Sequence, residues 1–300
     1  MSFPLHLLFP LFSSVVFVLG MLLGKRAITT GASPWTSTFL SNFWLAVGFV
    51  SVGCVKGDWL PTAYWWQAGV VGLLFVAGQV FLYLAFQYGD VSVATPLFGV
   101  KVIIVAALLA LLAGEPIETR VWIGAALAAV GVGVMQSGAR STRHASVTWQ
   151  KATASIVLAL ASAVAMSLFD VGLQVWGRKW GATLFLPATF ACGGVASLVF
   201  LPWIDRPRRL RELSVAWPMV VGSLLIALQA MSMSYSLGRF GDATRINIVY
   251  ALRGLWAVGL AWLLARLLQT PEAGLSSRTM LIRLLGALLL TASVIISLAG

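Results

Sequence analysis

The chain has 300 residues, 60% of them hydrophobic and only 10% charged, with 20 Lys and Arg against 9 Asp and Glu. A mean hydropathy of +0.94 excludes an ordinary soluble domain. The net charge of +11 is not a nucleic-acid signal either, because the basic residues lie mostly in short connections between apolar runs.

Those runs are each about twenty residues long, enough to cross a hydrocarbon core of roughly 30 Å. In lipid the backbone must bond to itself, and the alternation that a barrel needs is absent, so the runs are read as helices. The expected fold is all-α: a polytopic membrane protein with ten transmembrane helices. In chain order the spans are expected at Leu7–Ile28, Trp35–Val55, Tyr64–Gln87, Val91–Ala113, Val121–Ser137, Ala152–Val175, Ala182–Leu201, Ala216–Leu237, Thr244–Leu267 and Met280–Leu298. Met1–His6 lacks a basic n-region, so no secretory signal peptide is expected. Cys54, Cys192, His6 and His144 are isolated, so neither a disulfide framework, a metal site nor a cofactor is expected.

The polar stretch SGARSTRHASVTWQK divides the ten spans into five and five. The expected organisation is a first five-helix repeat over residues 1–140, a linker at 141–151 and a second repeat over 152–300. Matching residues recur in order. Met21, Trp35 and Gly48 fall on Met166, Trp180 and Gly193; Trp65 and Tyr83 fall on Trp217 and Tyr235; Gly89-Asp90 falls on Gly241-Asp242; Gly124 falls on Gly286. An odd number of spans per repeat inverts the second copy, the inverted-repeat plan in which a transport site lies between repeats near the midplane.

The same alignment places Arg253 on Lys101. Lys101 is the only charge between Val91 and Leu112. A Lys near the centre of a spanning helix costs about 2.5–3.5 kcal/mol on insertion scales, a cost that water, a partner or a ligand must offset. Lys101 and Arg253 are expected to form a paired cationic site for an anion, Arg as a planar fork and Lys as a point charge. The alternative is an internal ion pair that only holds the bundle. Asn247, Tyr250 and Arg253 share one side of the ninth helix at i, i+3 and i+6. Phe98 and Lys101 share a side of the fourth, with Thr95 just off that line. Gln79 and Tyr83 share a side of the third, and Tyr235 is the counterpart of Tyr83. Each is a substrate-site candidate whose competing role is interhelical hydrogen bonding or an interfacial belt. Asp170, near the end of the sixth span, is read as a protonation site for coupling, a counter-ion for Arg253, or a residue at the water boundary.

The five-plus-five short helices and the stretch LLAGEPIETRVWIGAALAAVGVGV, where Glu115 ends the fourth span and a Gly-rich fifth follows, resemble the drug/metabolite transporter superfamily, its EamA-like branch in particular. In the second half Leu267 stands where Glu115 maps. The resemblance implies that the first four helices of each repeat line a central cavity, with the fifth and tenth outside. The mid-span cations are also similar to those of the triose-phosphate and nucleotide-sugar translocators, whose basic residues on the fourth and ninth helices hold substrate phosphate.

The leading functional expectation is a secondary transporter for a small polar metabolite, anionic through a carboxylate or phosphate, working by alternating access. The alternatives are export of amino acids or cationic drugs, and flipping of a lipid headgroup. An enzyme is not expected, since the spans offer neither an acid/base pair nor metal ligands. The expected setting is the plasma membrane (the inner membrane of a prokaryote), as a monomer or homodimer, with proton coupling or substrate exchange. Orientation divides the arguments. Apart from Lys101 and Arg253, twelve of eighteen Lys and Arg fall in odd-numbered connections, which the positive-inside rule puts in the cytoplasm, leaving both termini outside. The family resemblance implies cytoplasmic termini.

Overall fold

The computed structural model describes residues 4–88, 97–114, 116–137, 149–256, 259 and 277–298. Every regular element among them is helical: α1 Leu8–Thr29, α2 Pro34–Lys56, α3 Trp65–Tyr88, α4 Leu97–Leu108, α5 Thr119–Ser137, α6 Trp149–Trp180, α7 Ala182–Ala196, a short α8 Pro207–Glu212, α9 Ala216–Phe240, α10 Ala243–Tyr250 and α11 Ser277–Leu298. A π-helical turn, Leu109–Ala113, continues α4, and a 3₁₀ segment, Ser197–Trp203, continues α7. Six of the described helices are long and apolar enough to cross a membrane: Leu5–Ile28, Pro34–Lys56, Thr62–Leu82, Thr153–Trp180, Ala182–Trp203 and Ala216–Phe240. Val100–Leu112, Thr119–Val134 and Leu284–Leu298 are shorter apolar helices.

Three expected spans differ in detail. The sixth runs on to Trp180 rather than ending at Val175, because nothing breaks the helix before Gly181, whose φ of 85° suits only glycine. Asp170 is therefore ten residues short of the helix end, not at its rim. The ninth starts as α10 but is interrupted at Ala251-Leu252 and resumes at 253–256. There the bonds tighten to i→i−3, from Leu252 N to Val249 O (3.1 Å) and from Gly254 N to Ala251 O (3.1 Å). No proline announces this break in the sequence. The fourth is described from Leu97; residues 91–96, with Thr95 and Pro96, lie outside the described residues, as do Gly89-Asp90, Glu115, most of the linker and 260–276.

The chain divides into two compact units, each drawing on both sequence halves: Leu8–Gln79 with Leu168–Asp242, and Met1–Leu7 with Val80–Ser167 and Ala243–Gly300. In the first unit α2 packs antiparallel on α7. Phe49 stacks on Phe190 at 4.8 Å, and a Cβ on Gly53 would sit 3.1 Å from Pro187. Close approach of this kind lets van der Waals packing hold helices in lipid, where no hydrophobic drive exists between them. Likewise α1 packs on α9, where Ser13 Oγ donates to Gln229 O at 3.0 Å. α3 runs antiparallel to α6, with Trp180 Nε1 donating to Gln67 Oε1 at 2.7 Å and Phe75 against Phe169 at 4.9 Å.

In the second unit α5 and α11 pack tightly through Gly124 and Gly131, whose Cβ positions lie 3.0 Å from Ser293 O and 3.1 Å from Gly286 O. α4 packs on α5 and α10. One apolar cluster joins all four helices: Val102, Val121, Ala125, Ala128, Ile248, Ala251, Ala287 and Leu290, with Ile103, Leu252 and Leu255 against it.

Candidate functional site

Lys101 lies one turn into the described part of α4 and is half-buried. Its carbonyl accepts from Ser167 Oγ on α6 at 3.4 Å. Its sequence neighbours Val102 and Ile103 belong to the same apolar cluster as Ala251, Leu252 and Leu255, the residues that flank Arg253. The fourth and ninth helices thus meet at the level of the two cations.

Arg253 begins the helical stretch after the break. Its guanidinium stacks on the Tyr250 ring, 4.5 Å from the centroid. Such a cation–π contact is worth about 0.5–2 kcal/mol, more when water is excluded. Tyr250 is buried. Asn247 is buried too, and its Nδ2 donates back to Ala243 O at 2.9 Å within α10. Of this expected trio, Tyr250 and Arg253 are brought into direct contact, while one Asn247 donor is engaged with its own helix.

Of the remaining candidates, Gln79 and Tyr235 belong to the other compact unit. Gln79 is in the unit with α2 and α7, where its Oε1 accepts from Asn42 Nδ2 at 2.9 Å. The same Nδ2 donates to Ser197 Oγ at 2.7 Å, and Ser197 Oγ donates to Gly193 O at 2.8 Å. Asn42 thereby ties α2 to α3 through Gln79 and to the segment after α7 through Ser197. Asn42, 3% exposed, keeps Oδ1 buried with no hydrogen-bond partner. Tyr235 sits among aromatic rings, 5.5 Å from Phe9 and 6.2 Å from Phe240. The side chains of Tyr83 and Phe98 lie outside what the structure describes, and Thr95 lies outside the described residues.

Asp170 is 2% exposed on α6, with Gln174, equally buried, one turn further on the same face. Asp170 is thus enclosed by protein rather than exposed on the helix surface. Gln174 was legible as the i+4 partner in DVGLQ, and Asn42 as the polar residue in SNFW, but single amides in apolar runs carry no label for function.

A second polar constellation, absent from the sequence reading, joins the start of α2 to the connection after α7. Asp205 Oδ2 accepts from Ser33 N at 2.5 Å and from Thr36 Oγ1 at 3.1 Å, while Asp205 N donates to Thr36 Oγ1 at 2.7 Å. Asp205 Oδ1 pairs with Arg209 at 3.1 Å, and Arg209 donates to Gly31 O at 3.2 Å. A buried carboxylate from a remote loop thus caps the N-terminus of α2 alongside its own cap, Ser33.

Apolar spans of this length, joined by short polar turns, define a multi-pass helical membrane protein. Residues 5–136 match the EamA-like transporter family, a family of membrane transporters of small molecules consistent with the drug/metabolite superfamily that the sequence motifs resemble. One crystal structure of a protein superposes with a TM-score of 0.70 over 99% of this chain and 98% of that chain at 17% identity, which shows a common fold alone. No curated protein sequence matches the chain.

Proposed function

We propose that this protein is a secondary transporter of the plasma membrane for a small anionic metabolite, bearing a carboxylate or phosphate, with Lys101 and Arg253 as its paired anion-binding groups. One observation carries the reading. The ninth helix breaks immediately before Arg253, and Arg253 is oriented by Tyr250 where α10 packs on α4 beside Lys101. Interrupted helices in transporters line cavities, because irregular backbone at membrane depth is tolerated only in protein or beside water.

The helix pairing supports two inverted repeats of five. The second span packs on the seventh, the fourth on the ninth and the fifth on the tenth, each a helix on its own counterpart. The first packs on the eighth and the third on the sixth, a set that an inverted two-fold relation exchanges. Alternating access then rocks one repeat against the other around the cations.

The test is uptake into liposomes of phosphorylated sugars, carboxylates, amino acids and lipid phosphates by the wild type and by Lys101→Gln and Arg253→Gln. Both variants are expected to insert, since a buried charge and its desolvation cost leave together, and both to lose anion uptake. Normal uptake by both would reject the paired site. The burial of Asp170 favours a second reading, recognition of a cationic group or a coupling proton at that carboxylate. Asp170→Asn separates the two: loss of cationic-substrate flux supports recognition, while loss of only the pH-driven component supports coupling.

A further inference from the structure

Four span ends meet where α1 stops, α2 starts, the α7 segment stops and α9 starts, and their connections carry a concentrated positive charge. Arg26, Arg206, Arg208, Arg209 and Arg211 are all exposed there, against only Asp205, which is buried, and Glu212. Arg208 pairs with Glu212 at 3.0 Å and Arg209 with Asp205. Arg206 and Arg211 carry no ion pair among the described residues. Leu210 packs with Ala27, Ala32, Val215 and Met219, so α8 is fixed by its apolar side and its arginines face outward. Trp203 is 57% and Trp217 65% exposed at the same level. A cavity of about 440 Å³ opens here between Trp35, Pro202 and Trp203, with Arg206 and Arg209 on its wall.

Apolar indole walls beside guanidinium groups, at the level where spans end, match a phosphodiester headgroup whose acyl chains run down along the helices. Arginine also gives a phosphate two parallel hydrogen bonds. We propose that this end of the protein holds anionic phospholipid, one headgroup in the Trp35–Trp203 cavity at Arg206 and others along Arg208, Arg211 and Arg26. The Asp205 clamp fixes the cavity wall by tying Arg209 and the 203–206 backbone to α2. This surface is independent of the transported substrate.

The experiment measures association of spin-labelled phosphatidylglycerol and phosphatidylcholine with the whole protein in nanodiscs of unlabelled phosphatidylcholine. The wild type should prefer phosphatidylglycerol, with the preference falling up to about fivefold for each arginine removed in Arg206→Gln and Arg206→Gln/Arg211→Gln. Glu212→Gln, which frees Arg208, should raise it. The Lys101→Gln/Arg253→Gln variant should keep it, so a failed transport site leaves this test standing. Equal association of both lipids with the wild type, or an unchanged preference in the arginine double variant, overturns the proposal. Displacement of the labelled phosphatidylglycerol by millimolar inorganic phosphate overturns it in favour of a soluble anion.

Discussion

Replacing Asp205 by Ala removes the acceptor shared by Ser33 N and Thr36 Oγ1 and the partner of Arg209. A hydrogen bond to a charged group contributes about 1.5–3 kcal/mol, and loss of an N-cap about 1 kcal/mol. Ser33 is only half-buried, so water replaces part of what its N–H loses. The Arg209 side chain is 60% exposed, and an ion pair that open contributes at most about 1 kcal/mol. The deletion should therefore cost about 2–4 kcal/mol. At roughly 2 °C per kcal/mol for a chain of this size, the apparent Tm falls by about 4–8 °C. The assay is tryptophan fluorescence during heating in detergent at a matched scan rate, because unfolding of such proteins is seldom reversible. Arg209→Gln, removing only the exposed partner, should shift the midpoint by less than about 2 °C. An unchanged Tm for Asp205→Ala, or an equal loss for both variants, would refute the assignment of the stabilisation to the capped backbone.

Gly72→Ala should destabilise by about 1–3 kcal/mol, since the new Cβ would lie 2.5 Å from Thr189 O, a backbone atom that cannot step aside. Gly48→Ala meets only the Cε and Sδ atoms of Met231, the far end of a flexible side chain, and should lose much less in the same unfolding assay. Tyr250→Phe keeps the ring under Arg253 and should keep the apparent KM for an anionic substrate, whereas Tyr250→Leu should raise it by about three- to tenfold. At the start of α5, the Arg120 hydrogen bond to Glu118, aided by the charges of Arg120 and Arg245, holds the carboxyl below the ordinary glutamate range. The contribution of this depressed acid is present above its unfolded pKa and is lost as pH falls through the lowered folded value. Carbon NMR titration of labelled glutamate should show the Glu118 midpoint rising in Arg120→Gln, and a fixed midpoint would discard the cause.

The polar residues were legible to different depths. Lys101 stood out because a lone charge in an apolar run has a known cost, and the repeat pointed from it to Arg253. No proline in ALRGLW announced that the helix would break before Arg253, and Gly254 alone, whose N–H makes one of the i→i−3 bonds, is too common in spanning helices to mark a break. That Gln79 accepts from Asn42, which also donates to Ser197, was not legible, because these partners are remote in sequence. Asp205 read as one charge in a polar turn, since the backbone N–H it caps, that of Ser33, is 172 residues away.

By itself the sequence determined the helical membrane class and most helix positions, because the bilayer limits backbone to a few solutions, and it singled out Lys101 and Arg253 as the charges whose burial would cost most. Tertiary structure alone decided which polar groups face each other, where α6 ends and α10 breaks, and which glycines allow contact. Between apolar helices in lipid, pairing rests on small-residue fit and single hydrogen bonds, and neither leaves a periodic trace along the chain.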